Sequence, residues 1–163
     1  MTTVTDAARG FTVVRRFDAP RELVFRAWTD PDQLGWFAGP GAPERPTTVD
    51  LRVGGAWRTH MRESDDPDDH GYVTGGVYRE VVVPERLVFS FGAVGGWPDL
   101  DPADLDAVPL VTVTLTEVDG GTEMVCTFGF APTLGAGEVA RWFSLGVRDG
   151  WTQTVDRFVP ARA

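Results

Sequence analysis

The chain has 163 residues, 42 % of them hydrophobic, and a formal net charge of −9, which describes one ordinary globular domain with a real core. That acidic balance excludes nucleic acid as a partner and disfavours anionic membranes, since both need clustered Lys and Arg. The single cysteine, Cys126, excludes an internal disulfide and a cysteine-based zinc site.

Residues 1–9 are polar and are expected to be flexible, with no signal-peptide core. Phe11 to Phe17 alternates Phe11, Val13 and Phe17 with Thr12 and Arg16, a half-buried strand whose apolar side Arg15 interrupts. Arg21 to Trp28 follows as a short helix. Asp18 is its candidate N-cap, Pro20 suits its first turn, and Leu23, Val24, Ala27 and Trp28 supply an apolar face. Asp30-Pro31 ends it, because the residue before a proline is pushed out of the helical region. Asp32 to Phe37 reads as another helical turn, and Ala38 to Thr47, with three prolines and two glycines, as a loop.

Five strand-like runs come next: Thr48 to Val53, Ala56 to Arg62, Gly71 to Val83, Arg86 to Phe91 and Leu110 to Glu117. Thr122 to Phe130 is a sixth, after the turn signal Asp119-Gly120-Gly121, and Val83-Pro84-Glu85-Arg86 marks another tight turn. Connectors without helical periodicity predict an antiparallel meander. Gly54-Gly55 has no lysine after it and strands on both sides, so it reads as a hairpin turn and not a phosphate loop. Gly92 to Pro109 is long for a strand connection and is a candidate lid or disordered loop.

From Gly137 to Val159 the period changes. Val139, Phe143, Val147, Trp151, Val155 and Phe158 recur every three or four residues, which predicts one long amphipathic helix. The sheet must bury that helix on one face. Strand parity places Val49, Leu51, Val53, Trp57 and Met61 on that face, and Asp50, Arg52, Arg58, His60 and Arg62 toward water. Leu87, Phe89, Phe91, Val111, Val113 and Leu115 continue the inner face, as do Met124, Cys126 and Phe128. The expected architecture is α+β, a curved antiparallel sheet around one long C-terminal helix with short helices after the first strand, spanning 1–163 as a single domain.

The pieces RRFDAPRELVFRAWTDPDQL, WFAGP, DLRVGGAWR, GGVYREVVVPERLVFSF, VTVTLTE with its GGTE turn, and DGWTQTVDRF occur in this order nearly end to end. In that series the chain resembles the START-like, helix-grip superfamily (SRPBCC), in the branch named after the activator of the 90-kDa heat-shock-protein ATPase. The resemblance implies a deep apolar cavity between sheet and helix that takes a hydrophobic, aromatic or polyketide-like small molecule, for sequestration, carriage or antibiotic self-resistance. Two alternatives stand beside it, a polyketide cyclase or aromatase using the same cavity and a chaperone-interacting module. Chaperone stimulation goes with a two-domain eukaryotic protein, so the family name alone does not assign it.

Trp57, Met61, Phe89, Phe91, Met124 and Phe128 are candidate cavity walls on the sheet. Trp142, Phe143, Gly146, Gly150 and Trp151 are their counterparts on the helix. Plain core packing is the competing account for each of these. Glycine costs roughly 1 kcal/mol against alanine inside a helix, so Gly146 and Gly150 imply close approach to the sheet or room for a ligand. Trp36, Phe37 and Trp97 are candidates either for gating the cavity mouth or for anchoring a loop.

The only polar candidates for the inner surface are Tyr72, Tyr78, Arg15 and Thr59. The acidic runs Asp65 to His70 and Asp99 to Asp106 lack calcium-loop spacing, and His60 and His70 suggest neither a metal trio nor a catalytic triad. No catalytic residue, metal or cofactor is therefore expected. The all-arginine basic set fits a bacterial source, and the expected protein is cytoplasmic, a monomer or weak homodimer.

Overall fold

The structure, a computed structural model, describes residues 2–37 and 45–160. The strands are β1 (Thr3–Ala7), β2 (Gly10–Phe17), β3 (Thr48–Val49), β4 (Ala56–Met61), β5 (Tyr72–Val82), β6 (Arg86–Phe91), β7 (Leu110–Val118) and β8 (Gly121–Gly129). They form one antiparallel sheet in the order β1-β2-β8-β7-β6-β5-β4-β3. The meander runs from β3 to β8, and the N-terminal hairpin pairs onto its free edge through β2 and β8. The helices are α1 (Arg21–Thr29), α2 (Ala136–Ser144) and α3 (Val147–Asp156), with 3-10 turns at Pro31–Trp36 and Leu105–Ala107. This α+β arrangement is the helix-grip fold.

The strand parity is visible in the packing. Phe11, Phe128, Val111, Phe89 and Tyr78 sit opposite one another across five neighbouring strands, and all are buried. Beside them Trp57 faces Gly76, which faces Phe91. A Cβ on Gly76 would lie 2.6 Å from both Phe89 Cδ2 and Trp57 Nε1, so the glycine is what lets these two rings close over the strand. Arg15 also points inward, and the reason is electrostatic. Its guanidinium donates to Val155 O and Phe158 O, each at 2.7 Å, and so satisfies carbonyls at the C-terminal end of α3.

Several expectations are corrected. Residues 1–9, expected to be flexible, include β1, which pairs with β2 and is tied to α3 by the Asp6–Arg148 ion pair. The run Thr48 to Val53 forms a strand only over Thr48–Val49, and beyond it Leu51 and Val53 are exposed because the chain turns away. His60 and Arg62 are buried, not solvated, because residues 63–71 fold back over them. His60 Nε2 bonds to His70 O at 2.8 Å, and Arg62 donates to Asp66 O and Asp69 O. Asp18 does not cap α1; Pro20 holds that position, with no side-chain cap. Of the loop read from Ala38 to Thr47, residues 38–44 lie outside the described residues.

The single long C-terminal helix is divided. Leu145 N and Gly146 N bond back to Trp142 O and Phe143 O, and Gly146 adopts φ +82°, a left-handed turn that ends α2 and starts α3. At the turn before β4, Gly54 has φ +83°. Gly55 is required instead by proximity, since a Cβ there would sit 2.1 Å from Asp50 O. The 92–109 segment is pinned to the sheet by Gly92 N to Gly75 O and Trp97 N to Val73 O, and it buries Leu100.

Candidate ligand-binding pocket

Most of the space between sheet and helices is filled by interlocking rings. Trp28 donates its Nε1 proton to Met124 Sδ at 3.2 Å and packs on Trp36 and Phe158, with centroids at 4.8 and 5.6 Å. Trp36 donates to Ala27 O at 2.9 Å. Phe89, Met124 and Phe128 are fully buried. These residues, with Trp57, are core in the described structure and do not line the pocket below. Phe143 packs against Phe11 and Phe130, and Trp142 faces a separate surface recess beside Arg141.

At the α2–α3 break the filling stops. A pocket of about 300 Å³ opens there between the ends of β4 and β5 and the helices. Phe37, Phe91 and Trp151 make its aromatic floor, with Phe91 and Phe37 edge-on to Trp151 at 5.0 and 5.4 Å. Met61 and Trp97 border it on the sheet side. Gly146 and Gly150 border it on the helix side, and a Cβ on either would meet no atom within 4 Å. The rim is exposed, with Tyr72 at 37 %, Trp97 at 42 % and Leu145 at 50 %, and Glu63 adds a carboxylate to it.

The polar groups of this pocket are few. Burial raises the Tyr72 phenol above its ordinary range; Glu63 adds to the shift and Arg157 opposes it. Thr154 also lines the pocket, but its hydroxyl is spent on Gly150 O at 2.8 Å. Thr74 lines it too, and its Oγ1 is buried without a hydrogen-bond partner. Sequence reasoning missed Glu63, Thr74, Leu145, Val147 and Thr154 at this site. The signal for Thr74 was available, since it shares the inward parity of Tyr72 and Tyr78.

Of the other polar candidates, Arg15 caps α3 and Thr59 pairs with Thr47 at 2.9 Å. Tyr78 is buried with an unpartnered hydroxyl, and burial pushes its ionisation well up. Cys126 is buried and pushed up to about 12 by desolvation, which makes it a poor nucleophile. Asp69 accepts from Ser64 N and Oγ, Glu63 N and Gly71 N, so its carboxylate organises a loop and its pKa is lowered. Among the described residues, no three His, Cys, Asp or Glu side chains stand together as a metal site. No helix among them is long and apolar enough to cross a membrane.

A curved sheet closed over C-terminal helices, with a pocket at the helix break, defines a helix-grip domain. The chain belongs to the family described as Activator of Hsp90 ATPase homolog 1-like protein, whose model matches residues 18–161. Protein Ms6760 from Mycobacterium smegmatis is similar in structure at 25 % identity and a TM-score of 0.68, covering 96 % of this chain and 94 % of that one. A protein from Arthrobacter aurescens is similar at 24 % identity and 0.71, over 94 % and 87 %. PFC0360w, an HSP90 activator from Plasmodium falciparum, shares the fold at 23 % identity and 0.58, over 89 % of each chain. No curated protein matches the chain.

Proposed function

We propose that this protein binds a hydrophobic, aromatic small molecule in the pocket beside the α2–α3 break, and carries or sequesters it in the cytoplasm. The observation that supports this is the pair of glycines on the helix side. Gly150 lies within α3, where alanine would stabilise the helix by about 1 kcal/mol, and nothing packs against the position to forbid a side chain. A glycine kept where a methyl group fits leaves space for something else. Phe37, Phe91 and Trp151 supply the apolar surface, and affinity follows area buried, at about 25 cal/mol per Å² before the costs of ordering.

A cyclase or aromatase would need ionisable groups converging on its substrate. Glu63 and Tyr72 are the titratable side chains lining this pocket, and both belong to its outer part, which favours binding over catalysis. No observation here favours chaperone stimulation, which fold likeness alone does not assign.

Native mass spectrometry of protein purified from its own host tests the reading. A co-purifying small molecule is expected, and Gly150→Leu, which fills the pocket from the helix side, should release it. Protein with no bound mass, or with a mass indifferent to Gly150→Leu, contradicts the proposal.

A further inference from the structure

Two threonines stand directly opposite each other on the inner face of the sheet, Thr59 on β4 and Thr74 on β5, and both are 1 % exposed. Their hydroxyls fare differently. That of Thr59 meets the Thr47 hydroxyl at 2.9 Å, whereas Thr74 Oγ1 has no partner at all. A buried hydroxyl left unpaired is a standing penalty, and valine would fill the same volume without it. Thr74, and not Thr59, is a wall residue of the aromatic pocket. One of the two rotamer steps about Cα–Cβ carries Oγ1 to the position Cγ2 holds and Cγ2 to that of Hβ, which re-aims the hydroxyl.

We propose that the pocket selects a neutral two-ring aromatic molecule carrying one hydrogen-bonding oxygen, a phenol or aryl carbonyl, and that the Thr74 hydroxyl engages that oxygen. This rests on the aromatic-binding reading above. The size follows from volume: the pocket is about 300 Å³, and a cavity of about 150 Å³ takes one benzene ring. The oxygen follows from Thr74, since a wholly apolar occupant would seal an unpaired hydroxyl in its site, whereas an oxygen-bearing one satisfies it. Neutrality follows from the mouth. The Glu63 carboxylate lines it, and the Tyr72 phenol stays protonated there. Arg157, the cation that acts on Tyr72, is already engaged with Trp36 O at 3.2 Å and Thr154 Oγ1 at 3.4 Å.

Titration of the purified full chain with 2-naphthol, naphthalene and 2-naphthoate, followed by NMR shifts, tests the assignment. Wild type should bind 2-naphthol about tenfold more tightly than naphthalene, the size expected for one hydrogen bond made or left unmade at a buried hydroxyl. The anion 2-naphthoate should bind weakest. In Thr74→Val the two neutral ligands should come within about twofold of each other, naphthalene gaining and 2-naphthol losing, and Thr74→Ser should restore the preference. An intermolecular NOE from the Thr74 methyl group to bound 2-naphthol is expected in wild type. Its absence overturns the assignment however the variants behave. Naphthalene binding without a 2-naphthol preference, or a preference that survives Thr74→Val, overturns the Thr74 anchor and leaves the aromatic pocket standing. No binding of any of the three overturns both.

Discussion

The two ends of the interior are lined by the same kind of side chain, yet one is solid and the other is hollow. Beneath α1, the rings of Trp28, Trp36 and Phe158 lock together over Phe89 and Met124. Beneath the α2–α3 break, Phe37, Phe91 and Trp151 pack just as closely to one another, but among the helix residues that line the space Gly146 and Gly150 add no side chain to fill it. Aromatic content therefore does not distinguish core from cavity. The missing Cβ atoms opposite the rings do, together with a backbone turn that lifts α2 out of line with α3.

Truncation at the solid end should separate the two regions most strongly. Phe89→Ala should lose about 3–5 kcal/mol of stability in denaturant unfolding, because its fully buried ring leaves a cavity that neighbours cannot fill. Trp97→Ala, at the exposed rim of the hollow end, should lose less than about 1 kcal/mol while weakening ligand binding.

The glycines sharpen the contrast with changes of opposite sign. Gly146→Ala forces a non-glycine residue to φ +82° and should destabilise by about 1–2 kcal/mol. Gly150→Ala meets no atom and gains helix propensity, so thermal unfolding should show about 1 kcal/mol of stabilisation, coupled to weaker ligand binding. A Gly150→Ala protein that is less stable than wild type would mean the position is kept for packing.

The smallest effect concerns the alkaline limb of stability. Tyr78 and Cys126 are both buried, and burial raises both ionisations, that of Cys126 from 9.0 to about 12. The folded protein keeps them neutral while the unfolded chain begins to ionise them near their ordinary values, 9.0 for the thiol and 10.0 for the phenol. Their contribution is intact below those values and is lost as pH rises from them through the raised folded-state values. Tyr78→Phe removes one of the two groups and an unpartnered hydroxyl, so its midpoint of alkaline unfolding should lie higher than that of wild type.

Strand positions and facing are legible in the sequence wherever an apolar row repeats at period two, as from Leu87 to Phe91 and from Met124 to Phe128. β1 is not, because TVTDA is a short edge strand, mostly exposed, with no apolar face to betray it. The helix break is hidden for a different reason. Phe143, Val147 and Trp151 keep four-residue spacing straight across Leu145-Gly146, so the periodicity runs on while the backbone turns. Burial of His60 and Arg62 depends on the fold-back of residues 63–71, a non-local event that alternation cannot report. The site was half legible. The rings at Phe37, Phe91, Trp97 and Trp151 were readable as candidates, but which rings face a vacancy depends on the turn at Gly146.

The six tryptophans provide the most direct test of a hollow end beside a solid one. Indole N–H resonances can be followed as 2-naphthol is added to the full chain. The account predicts that the Trp97 and Trp151 signals move together along one saturable curve, while Trp28 and Trp36, hydrogen-bonded at the solid end, stay where they are. Movement of Trp28 and Trp36 without Trp97 and Trp151, or no saturable movement of any indole, would contradict it.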